Sequence, residues 1–357
     1  MAAIPQKSAH TQAAYRSDTL RDFSASPRLL LLAAMALVAG SAGAFAAFLL
    51  LKLIALFTNL AYLQRLSFDP IHLMGDHLPL WTVAIPVIGS IVIGLMARFG
   101  SEKIRGHGIP EAIEAILIGQ SRIEPKVAIL KPLSSAIAIG TGGPFGAEGP
   151  IIMTGGALGS LFAQLFDLSS AERKTLLVAG AAAGMTAVFG TPLAAILLAV
   201  ELLLFEWKPR SFIPVAVAVA ALWRPYLIGF PFSGDPAMPW WGLGLCAAVG
   251  VVAGSQSALL TTCLYGVEDL FRKLPIHWMW WPALGGLVVG IGGLIDPSAL
   301  GVGYQNIRAL LAGTLDPASA GELLAVKAAI WIVALSSGTS GGVLAPLLII
   351  GRRARRY

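Results

Sequence analysis

Glu148 is the single acid in the stretch "GTGGPFGAEGP", Gly140 to Pro150, and that stretch lies inside an apolar chain. An acid at membrane depth is costly and marks a functional site by default. Proline is favoured at a helix start, so Pro150 predicts a helix over Ile151–Phe166 with Glu148 just before its N-terminus. The free N–H groups of such an end carry partial positive charge. They favour an ionised carboxylate and suit an inorganic anion equally well. Glu148 and a free anion then compete for one place. The plainer alternative is an N-terminal cap.

Two further segments have the same make-up. In "GHGIPEAIEAI" a turn of Gly106, His107 and Gly108 enters a helix at Ile109 and Pro110. The N–H groups around Gly108 and Ile109 form a second anion site in waiting, unless this is an ordinary loop with proline as helix starter. In "SSGTSGGVLAPLLIIG" a polar, glycine-rich break precedes an apolar helix with an early Pro346. Few cations accompany these three helix starts. Backbone dipoles then do the binding, weakly enough for the anion to leave, as conduction requires.

Such helix starts need elements that hold them at membrane depth, and the composition supplies them. The 357 residues are 56% hydrophobic and 12% charged, against about 25% charged in soluble domains. Mean hydropathy is +0.77. A polytopic membrane protein follows. Leu29–Leu51 carries no charge and is long enough to span, with Gly40, Ser41 and Gly43 permitting close helix contact. Further runs are Trp81–Ala97, Leu176–Leu204, Phe212–Ala221, Leu243–Leu260, Pro282–Ile295 and Ala328–Gly351. Shorter runs, Gly106–Gly119, Val127–Ile139, Ile151–Phe166 and Gly342–Gly351, are interrupted by Gly or Pro. Broken helices at this depth are tolerated where they line a cavity or lie within protein. The fold is therefore all-α, with tilted and half-spanning helices.

The net charge of +6 bears on topology, since cytoplasmic loops tend to be basic. No nucleic-acid partner, cofactor or metal site is indicated. Cys246 and Cys263 read as small packing residues, and Trp240, Trp241, Trp278, Trp280 and Trp281 as interfacial anchors. "GGPFGAEGPII" and "SGGVLAPLLII" echo one another, a pattern that points to a transporter site in two related halves.

Together the three segments resemble the chloride channel and chloride/proton antiporter family (CLC). Its motifs are matched by Gly106-His107-Gly108-Ile109-Pro110, Gly146-Ala147-Glu148-Gly149-Pro150 and Gly342-Val343-Leu344-Ala345-Pro346, in order and at matching spacing. "GAAAGMTAVFGTPLAAILLAVEL" and "LGVGYQNI" add support, and the resemblance runs from about Arg28 to Gly351. It implies two inverted repeats of broken helices, about 28–230 and 240–351, the second incomplete. A cytoplasmic tail over 1–27 and a basic tail over 352–357 flank them. It implies a homodimer with one pore per subunit, a multi-pass place in the cell membrane such as a bacterial inner membrane, and chloride or a similar monovalent anion as cargo. Glu148 matches the gating glutamate. The amides of Glu148 and Gly149, beside Gly146, match the outer anion site. Those of Val343 and Leu344 match the central site, where His107 stands in the place of a serine.

The departures from the family are specific. Ala147 replaces the usual Lys or Arg, and His107 replaces Ser. Leu202 follows Glu201 where antiporters of the family usually carry a proton-relaying glutamate, so the expectation is passive, channel-like anion flow. Proton-coupled exchange is the alternative. The chain ends in "GRRARRY" where the family continues with apolar helices, and Tyr357 lies too near the third motif to match the family's tyrosine. A truncated or frame-shifted, non-conducting remnant or partner is a further alternative.

Among other charged residues, Glu111 and Glu114 share a helical face and are expected to pair with basic residues or helix ends. Glu201 reads as structural. Lys131 either tunes the anion potential or neutralises a buried acid. A rival from another class rests on "GTSG", Gly338–Gly341, which resembles a rhomboid-type nucleophile at Ser340, but no histidine follows it. A phosphate-binding loop over Gly140–Pro150 fails for lack of Gly-Lys-Ser/Thr. The chain is not expected to be an enzyme.

Overall fold

The computed structural model describes residues 27–71, 78–221 and 242–351. Most of the expected N-terminal tail, Trp240, Trp241, and the basic end 352–357 with Tyr357 lie outside these residues. The helices are α1 (Pro27–Leu63), α2 (Ala84–Phe99), α3 (Ile109–Leu117), α4 (Pro125–Gly140), α5 (Glu148–Ala163), α6 (Ser170–Phe189) and α7 (Pro192–Ala199). They continue as α8 (Pro209–Ala221), α9 (Gly242–Arg272), α10 (Trp281–Ile295), α11 (Tyr304–Ala312), α12 (Pro317–Ser336) and α13 (Leu344–Ile350). Among the described residues there is no strand, only two isolated bridges, Gly106 with Ser340 and Gly146 with Gly342.

Among the described residues, five helical stretches are long and apolar enough to cross a membrane: Pro27–Leu63, Leu80–Phe99, Ala247–Arg272, Trp278–Ile295 and Pro317–Ser336. The short helices α3 and α13, of 9 and 7 residues, lie in the interrupted runs Gly106–Gly119 and Gly342–Gly351, whereas α4 and α5 reach 16 residues each and the 9-residue α11 lies outside the runs singled out from sequence.

Two of the long apolar runs are each divided. Leu176–Leu204 breaks at Gly190, which closes α6 with φ 65°, and Pro192 then opens α7. A left-handed glycine past a helix end and a proline at the next start are the usual stop and restart. Ala328–Gly351 breaks after Ser336, where Gly338 takes φ 81°, before α13 begins.

The centre of the bundle is α6, buried without interruption from Thr175 to Phe189. A helix apolar on every side belongs inside a protein of this kind. It packs against α1, α5 and α8. The approach is close because glycines meet: a Cβ on Gly43 would lie 2.2 Å from the Gly180 carbonyl, and one on Gly180 would lie 2.2 Å from that of Gly155. Lipid supplies no hydrophobic drive between helices, so close backbone packing holds them. On the other side, α10 packs on α2 and α12, and α9 on α12.

Candidate functional site

The helix carrying Glu148 starts three residues earlier than Pro150 alone suggests. Ala147 is the N-cap, Glu148 is the first helical residue and Pro150 the third. Pro346 is likewise third in α13. The first turn of a helix has no intrahelical acceptor for its N–H groups, so proline is tolerated throughout that turn and does not fix its first residue. The amides of Glu148 and Gly149 in α5, and of Val343 and Leu344 at the start of α13, fall at these unpaired positions.

Glu148 is 1% exposed, and it is the first residue of α5 rather than its cap, which is Ala147. The simple cap is therefore excluded. Instead the carboxyl lies against two glycines: a Cβ on Gly146 would fall 1.7 Å from Oε2, and one on Gly342 would fall 2.7 Å from it. The carboxyl approaches its own N–H and that of Ala345 in the first turn of α13, and it faces the Tyr304 hydroxyl. Neither oxygen completes a hydrogen bond within the protein.

Backbone pairing brings the three helix starts together. Gly146 N–H donates to the Gly342 carbonyl at 2.8 Å, and Gly342 N–H donates back at 2.7 Å. Gly341 N–H reaches the Gly106 carbonyl at 3.4 Å. The turn before α3 then presses on the start of α5: a Cβ on Gly149 would meet the His107 carbonyl, and one on Gly108 would lie 2.5 Å from the Gly149 carbonyl. Gly106 and Gly108 take φ 76° and 94°, a region that favours glycine.

Two sequence expectations are corrected by this pairing. Gly108 does not offer its N–H to an anion, because the N–H donates to Glu111 Oε2 at 2.8 Å. Gly146 gives its N–H to Gly342. Both glycines shape the site by close approach, and Glu111 serves its helix end. Glu114 is exposed. The His107 ring is partly buried and its Nδ1 has no protein partner, so a ring nitrogen is available to the site. Ile109 and Pro110 open α3.

Two fully buried lysines clamp the turns. Lys131 on α4 donates to the carbonyls of Ile104 at 2.9 Å, Arg105 at 3.3 Å and Gly106 at 2.8 Å. It braces the turn that presents His107, rather than closing an ion pair. Lys327 on α12 donates to the carbonyls of Ala299 at 3.0 Å and Gly301 at 2.8 Å, and so braces the turn that presents Tyr304. That turn is also tied to the gate stretch, since Gly301 N–H donates to the Gly142 carbonyl at 3.1 Å. Tyr304 and Lys327 escape a reading of types and spacing. Their signal is "GVGY", a Gly-x-Gly turn before a short helix like the turn at Gly106.

The remaining candidates take other roles. Ser340 Oγ meets the hydroxyls of Ser135 at 2.8 Å and Ser134 at 3.3 Å, a buried hydroxyl cluster and not a nucleophile beside a base. Glu201 is exposed and Leu202 partly buried in a π turn after α7. Cys263 is an exposed free thiol on α9, not a packing residue, and the side chain of Cys246 lies outside the described residues. Trp278 receives the Arg105 guanidinium over its ring at 4.6 Å, and Trp281 packs on Phe271. At the bundle surface, burial pushes the Glu206 carboxyl up, but Lys174 at 2.8 Å, Ser211 and Lys208 outweigh it and hold it below the usual carboxylate range. Glu124 is held low by its hydrogen bond from Lys103.

Comparison with known proteins agrees with this architecture. The family described as voltage gated chloride channel matches residues 88–353. The H(+)/Cl(-) exchange transporter ClcA of Salmonella arizonae is 29% identical over 321 residues, which cover 82% of this chain and 65% of that protein. The ClcA of Klebsiella pneumoniae is 29% identical over 296 residues, 76% of this chain and 60% of that protein. The chain thus spans less than two thirds of the curated relatives' length. A crystal structure of a CLC-type fluoride/proton antiporter superposes with a TM-score of 0.73 at 20% identity, covering 92% of this chain and 80% of that one. A slow cyanobacterial Cl-/H+ antiporter gives 0.70 at 21% identity, covering 92% and 78%.

Proposed function

Because the chain belongs to the voltage gated chloride channel family, we propose that it carries chloride, or a similar monovalent anion, across the membrane with Glu148 as the gate. The observation that carries this reading is the Glu148 carboxyl, fully buried and unpartnered where α5 and α13 start. A buried carboxylate without partners is expensive. Such a group persists where an anion takes its place in turn, since the backbone dipoles that favour one favour the other. The amides of Glu148 and Gly149, and of Val343 and Leu344, are the anion's donors in this proposal, with the His107 ring beside them.

The transport is coupled to protons. The relatives resembled here are named as H(+)/Cl(-) exchange transporters, which supports exchange over the passive flow expected from Leu202. The passive reading keeps one specific support, since Leu202 cannot relay a proton. The two halves at about 28–230 and 240–351 are part of the same proposal. Its support is the pairing of like features: the left-handed glycines Gly106 with Gly301, Gly108 with Gly303 and Gly142 with Gly338, and the lysines Lys131 with Lys327. Two copies form the working unit, as the mass of the purified particle tests.

Chloride efflux from liposomes, wild type against Glu148→Ala, tests the gate. Efflux that rises or loses its pH dependence in the variant is the expected result; an unchanged pH profile overturns the role. Uphill proton movement driven by a chloride gradient is expected of the wild type. Its absence during chloride flux returns the reading to passive flow.

A further inference from the structure

Glu148 is not the only unpartnered polar group at the site. The Tyr304 hydroxyl is buried without a hydrogen-bond partner, as are both Glu148 oxygens. The two groups face one another, and the hydroxyl also approaches the N–H of Ala147, the cap of α5. Two unpaired buried groups each carry a desolvation cost of about 1–3 kcal/mol. The hydroxyl is a donor, and either the carboxylate or an anion seated at the same helix start can accept from it.

The placement of Tyr304 is specified from several directions. It opens α11 directly after Gly303, whose φ is 79°. Lys327 holds the preceding turn through two carbonyls, and a Cβ on Gly303 would lie 3.1 Å from Lys327 Nζ and 2.8 Å from Ile349 Cδ1. The ring packs edge-on against Phe189 at 6.2 Å between centroids. Tyr304 also lines a cavity of about 440 Å³ whose wall carries Lys52 and Arg308. The residue therefore borders a cation-bearing cavity as well as the buried carboxyl.

We propose that the Tyr304 hydroxyl is a side-chain donor of the anion path, given to the Glu148 carboxylate while the gate is shut and to the passing anion once the carboxylate has left. The proposal rests on the reading of Glu148 as gate and adds a ligand from α11. Such a donor serves both competitors. In the wild type its loss weakens chloride and the competing carboxylate together, and the effects cancel. Without the carboxylate there is nothing to cancel.

A double-mutant cycle with full-length purified protein reads this difference, using chloride itself as the probe and calorimetry at neutral pH. Tyr304→Phe keeps the ring and its contact with Phe189. In the Glu148→Ala background it is expected to weaken chloride binding about tenfold, the loss of one hydrogen bond to a charged group. In the wild-type background the change is expected to stay under about twofold. Equal weakening in both backgrounds marks Tyr304 as a packing residue and overturns the proposal, as does no weakening in either. Glu148→Ala alone that fails to tighten chloride binding sinks the gate reading instead, so the two failures are distinct.

Discussion

Gly146 and Gly342, from opposite halves of the chain, exchange two backbone hydrogen bonds of 2.8 and 2.7 Å, and the Glu148 carboxyl lies against both of them. The pairing is an antiparallel bridge a single residue long on each side. It spends the amides of the two glycines on each other and leaves those of the following helix starts directed at the carboxyl. A side chain would meet a different obstacle at each of them.

Gly146→Ala places its Cβ 1.7 Å from Glu148 Oε2, the flexible end of a side chain. The carboxyl is expected to leave its seat while the fold survives. Chloride efflux should then resemble that of Glu148→Ala. Efflux with wild-type pH dependence in a monodisperse sample would count against the seat described here.

Gly342→Ala meets backbone as well, with its Cβ 2.6 Å from the Gly146 carbonyl. Backbone cannot swing away, so the bridge should open. A lower thermal midpoint than that of Gly146→Ala is the expected outcome of unfolding in detergent. The reverse order would contradict the geometry.

Lys131→Met and Lys327→Met each strip the donor from a set of buried carbonyls. An orphaned buried acceptor costs about 1–3 kcal/mol, and methionine replaces the stem but not the ammonium. Both variants are expected to lose thermal stability, to a similar degree, and an unchanged midpoint in either would show that its turn does not depend on the clamp.

Gly180→Leu tests the bundle centre. Its Cβ alone would lie 2.2 Å from the Gly155 carbonyl, and the helices α1, α5 and α6 cannot separate without losing their packing. The variant is expected to give no monodisperse protein, whereas Gly244→Leu on α9, where a Cβ meets nothing within 4 Å, should behave as wild type on size-exclusion chromatography.

The cluster at Glu206 sets a pH dependence of stability. Its carboxyl is held below the usual range by Lys174, Ser211 and Lys208, against a burial effect of opposite sign. A depressed carboxyl contributes stability above its unfolded pKa and loses it as pH falls through the lowered folded value. Glu206→Gln should therefore lower the thermal midpoint at neutral pH, and the gap to wild type should close in acid below the usual carboxylate range. With a side chain 21% exposed, the effect is modest and screened by salt. A gap that is constant with pH would exclude an ionic origin.

The membrane class and the broken helices are legible from composition and from apolar runs punctuated by Gly and Pro, because lipid allows few alternatives. The glycines of "GHGIP", "GAEGP" and "SGGVL" are equally legible as places of unusual backbone. Their roles are not. Gly108 and Gly146 look like anion donors in isolation, and only their partners, Glu111 and Gly342, show the amides to be spent. The long runs Leu176–Leu204 and Ala328–Gly351 read as continuous because hydropathy does not register the φ of Gly190 or Gly338.

By itself the chain's order of residues determined an apolar bundle, three polar helix starts and an acid, Glu148, just ahead of Pro150 in one of them, since each is a local matter of burial, backbone freedom and charge. Tertiary structure alone decided which groups meet. The Glu148 carboxyl reaches the start of α13, Tyr304 turns its hydroxyl toward that carboxyl, and Lys131 and Lys327 spend their charge on carbonyls of distant turns. Buried polar groups are satisfied by whatever the packing brings within hydrogen-bond reach, and that reach crosses the chain's two halves in a way that no local pattern records.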